Sequence, residues 1–273
     1  MGSPKSAWTI IITSSNDYVK GIITMKYAMR NSQYPLLILY TPNVSLETIQ
    51  LLQNSGCLVK QIEPIHPPGK TNYTFERFTE TWTKLAVWNQ TEYKRLVLLD
   101  ADMLPLQNMD ELIEMDLPKG WIAASHACTC NPQKFSHYPP HWTPANCAYT
   151  QSPAKTAYFN SGLVVLSPDT AKFKSMMDDL NAVKDLSIYP FPDQDFLNEK
   201  FKDHWKPLPY VYNALKTLQW AHEPMWNLKS VKNIHYILTK PWDVCLGQEL
   251  SSVELMYRDL YQIWWDYYNQ TQE

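Results

Sequence analysis

Blocks of apolar and polar positions alternate along the first half of the chain. Trp8 to Thr13 is an apolar, β-branched run that predicts a first strand, and the polar Ser14-Ser15-Asn16-Asp17 after it leads into helical spacing from Tyr18 to Arg30. Leu36 to Tyr40 predicts a second strand, closed by Thr41-Pro42-Asn43, and Ser45 to Asn54 a second helix. Leu58 to Ile62 follows as a third strand, and Thr81 to Trp88 as a third helix. Leu96-Val97-Leu98-Leu99 then stops at Asp100-Ala101-Asp102 and Met103-Leu104-Pro105, the pattern of a buried strand emptying into a loop. Strands alternating with helices of roughly ten residues imply a mainly parallel sheet flanked by helices, an α/β fold.

Beyond Asp102 the pattern loosens. A short helix is expected over Asp110 to Met115, a strand over Trp121 to Ser125, and a loop rich in Pro, His and Cys over residues 126–157. Loops of that length inside a compact domain tend to be functional. Gly162 to Leu166 predicts another strand, with Asn160 and Ser161 as a turn before it, and helices are expected over Thr170 to Val183 and Gln194 to Phe201. Ser251 to Tyr268 reads as one aromatic-rich helix opened by a capping box of Ser251 and Glu254. No repeat and no linker divides the chain.

The acidic pair gives this scaffold a chemistry. In an open α/β sheet, ligands bind beyond the carboxyl ends of the strands. Two carboxylates at i and i+2 on a turning backbone reach one hard divalent cation and leave its other positions to water or phosphate oxygens. Only seven glycines are present, and none forms a dinucleotide fingerprint or a P-loop, so a diphosphate would be neutralised by metal and lysine and not by a backbone nest. A net charge of -3 without a basic block argues against nucleic acid as the main partner. The chain has no apolar stretch long enough for a transmembrane segment. Its five cysteines fit no secreted disulfide framework, which favours reduced thiols and a cytoplasmic location. Cys128, Cys130 and Cys147, with His126, His137 and His141, share one segment, but no set among them has standard zinc spacing, and an acceptor-side loop is the preferred reading.

Five further segments stand beside the acidic pair: Ser15-Asn16-Asp17-Tyr18-Val19-Lys20-Gly21; Thr83-Lys84-Leu85 with Trp88; Tyr158-Phe159-Asn160-Ser161-Gly162; Asp193-Gln194-Asp195-Phe196-Leu197-Asn198; and Tyr212-Asn213 followed by His235-Tyr236 and Lys240-Pro241-Trp242. In order and spacing they resemble the glycogenin and galactinol synthase family of retaining glycosyltransferases, glycosyltransferase family 8, from about residue 9 to residue 242. One departure is the stretch from His235 to Lys240, which lacks the glycine usual in that family and reads Tyr236-Ile237-Leu238-Thr239.

The resemblance implies a single GT-A type nucleotide-diphospho-sugar transferase domain. It would comprise a nucleotide-binding half over 8–125, an inserted loop over 126–157, a sugar and acceptor half over 158–250, and a C-terminal helix over 251–268. It also implies a UDP-sugar donor bound through Mn2+, or Mg2+ in its place, with Asp100, Asp102 and His235 as metal ligands. Ile12, Thr13, Ser14, Tyr18 and Ala101 would hold the nucleoside, with Tyr18 stacking on uracil. Arg77, Lys84 and Lys240 would contact diphosphate or sugar, Asn160 and Ser161 would face the donor sugar, and Asp193, Gln194 and Asp195 would line the sugar pocket at the reacting carbon. Retention would proceed by front-face attack or by double displacement through a carboxylate. The acceptor would be a small polyol, an oligosaccharide or another glycan, and a homodimer is left open. Two other readings are a sugar-nucleotide binding protein without turnover and a self-glucosylating initiator that uses Tyr257, Tyr261, Tyr267 or Tyr268.

Overall fold

The computed structural model of the protein describes residues 5–73, 76–150 and 157–272. Its strands are β1 (Lys5–Ile12), β2 (Leu36–Tyr40), β3 (Leu58–Gln61), β4 (Tyr93–Leu99), β5 (Met103–Pro105), β6 (Ile122–His126), β7 (Phe159–Leu166), β8 (Trp205–Leu208), β9 (Ala214–Leu215) and β10 (Asn233–His235). Seven of them form a sheet in the order β3-β2-β1-β4-β7-β6-β8, and β5-β10-β9 form a second, smaller sheet. In the large sheet only β7 runs against its neighbours.

Strict alternation along the central strands explains why they read as unbroken apolar runs. Leu96 and Leu98 of β4, with Leu37 and Leu39 of β2, point into one core, while Val97, Leu99, Leu36 and Ile38 point into the other. Both faces of the sheet are covered, so neither set of alternate positions is left to be polar. The helices that cover them are α1 (Tyr18–Ala28), α2 (Leu46–Asn54), α3 (Glu111–Glu114), α4 (Thr170–Ala182) and α5 (Pro192–Lys200), together with a 3-10 segment over Thr81–Asn89. Ser45 caps α2 by accepting from the Thr48 amide, and Asp169 caps α4 by accepting from Ala171 and Lys172. A third core gathers around the small sheet.

The structure corrects several sequence expectations. Asn160 and Ser161 belong to β7, which starts at Phe159, and not to a turn before it; their turn-like composition reflects side-chain partners in the site described below. The stretch after Pro192 is helical from Pro192 itself, since proline fits a first helical position, so Asp193 and Gln194 lie in the first turn. Thr81 to Trp88 winds as a 3-10 and not an α-helix. Residues 251–268 are not one helix but two, α7 (Ser252–Leu255) and α8 (Arg258–Gln270). The capping box is present, but the Trp220 indole donates to the Met256 carbonyl at 2.5 Å, and the chain turns there to bury Tyr257. Between Leu215 and α7 lie a short helix, α6 (Leu218–Ala221), and the strand β10, neither of which the apolar pattern locates.

Candidate active site

Where β1 and β4 end, a cavity of about 470 Å³ opens at their carboxyl termini. Its floor is set by one close approach. A Cβ on Gly21 would fall 2.1 Å from the Ala101 carbonyl oxygen, so only glycine lets α1 lie against the loop that carries the acidic pair. Asp100 is held from the other side, its amide donating to the Gly162 carbonyl at 2.8 Å.

The two carboxylates diverge in their partners. Asp100 accepts from the Lys84 ammonium at 2.7 Å. The same ammonium lies 3.1 Å from Asp193. Asp102 is paired with Lys240, which also donates to the Tyr236 carbonyl. His235 reaches this pair from β10, its Nε2 lying 3.3 Å from Asp102 Oδ1 and 3.9 Å from Asp100 Oδ2. Burial raises the Asp100 pKa, with Lys84 opposing it. At Asp102 burial acts the same way, but the charges of Lys240 and His235 outweigh it and hold the carboxyl well below the usual carboxylate range. Loss of water around the half-buried Lys84 works against its charge, yet Asp100 and Asp193 keep it firmly protonated.

A chain of amides fixes which nitrogen of His235 carries its proton. The Gly162 amide donates to Asn160 Oδ1 at 3.0 Å, so that atom is an oxygen. Asn213 must then present Nδ2 to it, at 2.8 Å, which leaves Asn213 Oδ1 facing His235 Nδ1 at 2.8 Å. Nδ1 therefore bears a hydrogen, which makes Nε2, facing the two carboxylates, the ring nitrogen that could ligate a cation. Asp100, Asp102 and His235 place one donor atom each within 4.8 Å of one another. Three carboxylates (Asp100, Asp102, Asp193) stand against two ammonium groups (Lys84, Lys240), an excess of negative charge that a divalent cation would offset. Two carboxylates and an imidazole nitrogen are a donor set that fits such an ion.

The same network continues along β7 and α5. Gln194 Oε1 accepts from Asn160 Nδ2 at 2.9 Å and from the Ser161 amide at 3.2 Å, and its Nε2 donates to the Tyr158 hydroxyl at 2.9 Å. Ser161 Oγ donates to Asp193 at 2.7 Å. Asp195 stands behind this layer and outside the cavity lining. It accepts from Tyr158 at 2.5 Å and from the Phe191 amide at 2.7 Å, and burial pushes its carboxyl up to about 6. Ile12, Thr13, Ser14, Tyr18, Ala101, Asn160, Ser161, Asp193, Gln194 and Lys240 all line the cavity with the three metal-type ligands. Arg77 falls in the turn Glu76–Thr79, and its side chain is outside the described part of the structure.

Several residues here carry little or no signal in the sequence. Asn213 is visible as a segment but not as the group that orients His235. Tyr158 gives no signal beyond its place beside Asn160. Part of the cavity wall is aromatic: Trp142 stacks on Phe191 with centroids 4.9 Å apart, and Tyr138 meets Phe191 edge-on at 5.2 Å. At the departure between His235 and Lys240, Leu238 takes the left-handed conformation, φ +65°, that glycine would adopt without strain. Two of the four tyrosines considered as self-acceptors, Tyr257 and Tyr261, are buried in the third core. His126, His137 and His141 do not join the loop cysteines. His222 does, and the three thiols meet around it.

Comparison with known proteins agrees with this geometry. The family model for glycosyl transferase family 8 matches residues 9–245. Galactinol synthase 3 of Arabidopsis thaliana is 32% identical, over 98% of this chain and 82% of its own. Galactinol synthase 1 of Ajuga reptans is also 32% identical, over 97% and 81%. In fold the chain resembles the galactosyltransferase LgtC, solved with donor and acceptor sugar analogs, at a TM-score of 0.62 and 15% identity over 97% of this chain and 95% of that one. It also resembles the apo-form glycosyltransferase GlyE of Streptococcus pneumoniae TIGR4, at a TM-score of 0.64 and 18% identity over 97% and 60%. No helix among the described residues is long and apolar enough to cross a membrane. With its acidic pair, histidine and lysine gathered at the carboxyl ends of a GT-A sheet, and with the family model spanning most of its length, the chain belongs to glycosyl transferase family 8 and is a retaining glycosyltransferase that works from a UDP-sugar.

Proposed function

We propose that the protein moves a hexose, glucose or galactose, from its UDP-sugar to a small polyol or glycan, with Mn2+ held by Asp100, Asp102 and His235. The observation that carries this reading is His235 Nε2 facing two carboxylates inside the cavity, with Nδ1 held by Asn213. When bound, the cation would neutralise the diphosphate and stabilise the charge that develops as UDP leaves. Lys240, beside Asp102, adds positive charge at the same end of the site. Residues 8–125 would hold the nucleotide, with Tyr18 against uracil, and residues 158–250 the sugar and acceptor.

Front-face attack suits this site better than double displacement. A double displacement requires a carboxylate free to attack the anomeric carbon. Asp193 is engaged by Ser161 and Lys84, and Asp195 stands behind the lining. Gln194, fixed at both ends of its amide, is a positioning group and no nucleophile. In the front-face reaction the bond from the anomeric carbon to phosphate oxygen breaks and the bond to the acceptor oxygen forms on the same face. The acceptor proton passes to the departing phosphate.

The aromatic wall of Tyr138, Trp142 and Phe191 offers ring faces to the acceptor. The relatives named galactinol synthases support the small-polyol arm of this reading. Burial of Tyr257 and Tyr261 favours a separate acceptor over self-modification. The free thiols fit a reducing, cytoplasmic compartment.

The test is a panel of UDP-sugars incubated with Mn2+ and a set of polyols and oligosaccharides, followed by UDP release and by the anomeric configuration of the product. Consumption of one UDP-hexose with retained configuration supports the reading. Tight UDP binding without release from any donor would point instead to a sugar-nucleotide binding protein.

A further inference from the structure

Away from the acidic pair, a second cluster of ligand-type side chains has no part in the chemistry above. Cys128 and Cys130 follow β6, Cys147 lies 17 residues further along the same loop, and His222 ends α6. His222 Nε2 lies 3.4 Å from Cys128 Sγ, 3.1 Å from Cys130 Sγ and 3.5 Å from Cys147 Sγ. Cys128 and Cys147 are 4.0 Å apart at sulfur, and all four donor atoms fall within 4.8 Å of one another.

These separations have a specific geometric meaning. Around a tetrahedral ion with the usual zinc bond lengths to thiolate and imidazole, sulfur-to-sulfur edges measure about 3.8 Å and sulfur-to-nitrogen edges about 3.5 Å. The observed edges, 3.1–3.5 Å and 4.0 Å, are those of such a polyhedron. They are too long for a disulfide, whose sulfurs sit about 2.05 Å apart, and one imidazole nitrogen has too few hydrogen-bonding positions to satisfy three thiols separately. Cys130, Cys147 and His222 are buried, and Tyr149 packs edge-on against the imidazole at 5.6 Å while its hydroxyl donates to the His126 carbonyl.

We propose that Cys128, Cys130, Cys147 and His222 form a structural zinc site that fastens the long loop after β6 to the end of α6. Four protein ligands fill the coordination shell and leave no position for a substrate, as in structural and not catalytic zinc centres. The thiols release their protons to solvent as they coordinate, and no oxidation state changes. The segment between the second and third cysteines includes Phe135, Tyr138 and Trp142, which line the cavity. The staple thus sets the aromatic wall on the acceptor side, and a loop that long would otherwise have little secondary structure to hold it. The set escapes a spacing search because its fourth ligand comes from 75 residues beyond Cys147.

The experiment is metal analysis of the intact chain purified in reductant with zinc present and then dialysed. The expected result is about one zinc per chain, unchanged in Asp102→Asn and in Cys57→Ser, and reduced by roughly tenfold or more in Cys147→Ser and His222→Ala. Because those variants can fail through misfolding, Co2+ is added to metal-free wild-type protein as a second measurement. A thiolate-to-cobalt charge-transfer band with intense tetrahedral visible absorption is expected. Substoichiometric zinc together with no charge-transfer band would overturn the proposal, as would a disulfide between any two of the three cysteines in protein isolated from a reducing cytosol. Neither readout depends on sugar transfer, so this inference and the proposed reaction stand or fall separately.

Discussion

Replacing Gly162 with alanine should damage the metal site while leaving the fold in place. A Cβ at this position would lie 2.4 Å from His235 Cε1 and 2.9 Å from His235 Nδ1 and Asn160 Oδ1. Ordinary carbon contacts begin near 3.5 Å, so about 1 Å of movement is required. The strand is ill placed to supply it: β7 is bracketed by β4 and β6, and the Gly162 carbonyl holds the Asp100 amide. The His235 ring gives way instead and loses its place between Asn213 and the carboxylates. Overpacking of this kind costs about 1–3 kcal/mol. For a chain of this size that lowers Tm by roughly 2–10 °C. Misplacing a ligand by about 1 Å costs on the order of a hundredfold in rate, and disturbed ligand support costs about 10–100-fold in metal affinity. Mn2+ titration, UDP release and thermal melts of Gly162→Ala check all three. Gly120→Ala is the control: Gly120 has φ +79° and an added Cβ would meet nothing within 4 Å, so this variant should lose stability by about 1 kcal/mol with no change in Mn2+ binding. Mn2+ affinity and rate in Gly162→Ala within about twofold of wild type would refute the reasoning, because the disturbed ligand would then carry no metal.

Two further predictions probe the layer behind the ligands. Asn213→Ala removes the acceptor that fixes the His235 tautomer, and Mn2+ affinity should fall by about 10–100-fold in a titration, with UDP release at saturating Mn2+ recovering part of the loss. Asp195 has its carboxyl raised to about 6 by burial. The folded state therefore holds this proton more tightly than the unfolded chain does, and the group's contribution to stability is present below about pH 4 and lost as pH rises through 6. Moving a carboxyl from its ordinary value near 4 up to about 6 corresponds to about 3 kcal/mol, so denaturant melts of wild type should weaken between pH 4 and 7 by up to about that amount relative to Asp195→Asn, which lacks the titration.

How legible each residue of the site is in the sequence follows from its place in the fold. Asp100 and Asp102 are legible because β4 is buried on both faces, so an apolar run ends abruptly at its first carboxylates. His235 is not legible by pattern. Its strand is three residues long and pairs with β5 and β9, elements too short to show a period. Only the resemblance points to it. Asn160 and Ser161 look like a turn because polar residues are rare in central strands, and here they are polar because they face the cavity. His222 gives no signal at all, since its partners lie in a segment far away in the chain and a lone histidine carries no spacing. The grouping of Cys128, Cys130 and Cys147 in one segment is the trace of that cluster, and chain order alone does not supply its fourth member.

The most direct test of the active site is the rate of UDP release from the preferred UDP-hexose as Mn2+ is raised, in wild type and in Asp102→Asn, with EDTA as the zero point. The account predicts a saturable Mn2+ dependence in wild type, abolished by EDTA, and a loss of about a hundredfold or more in Asp102→Asn. Release that persists in EDTA, or that is unchanged in Asp102→Asn, would contradict it.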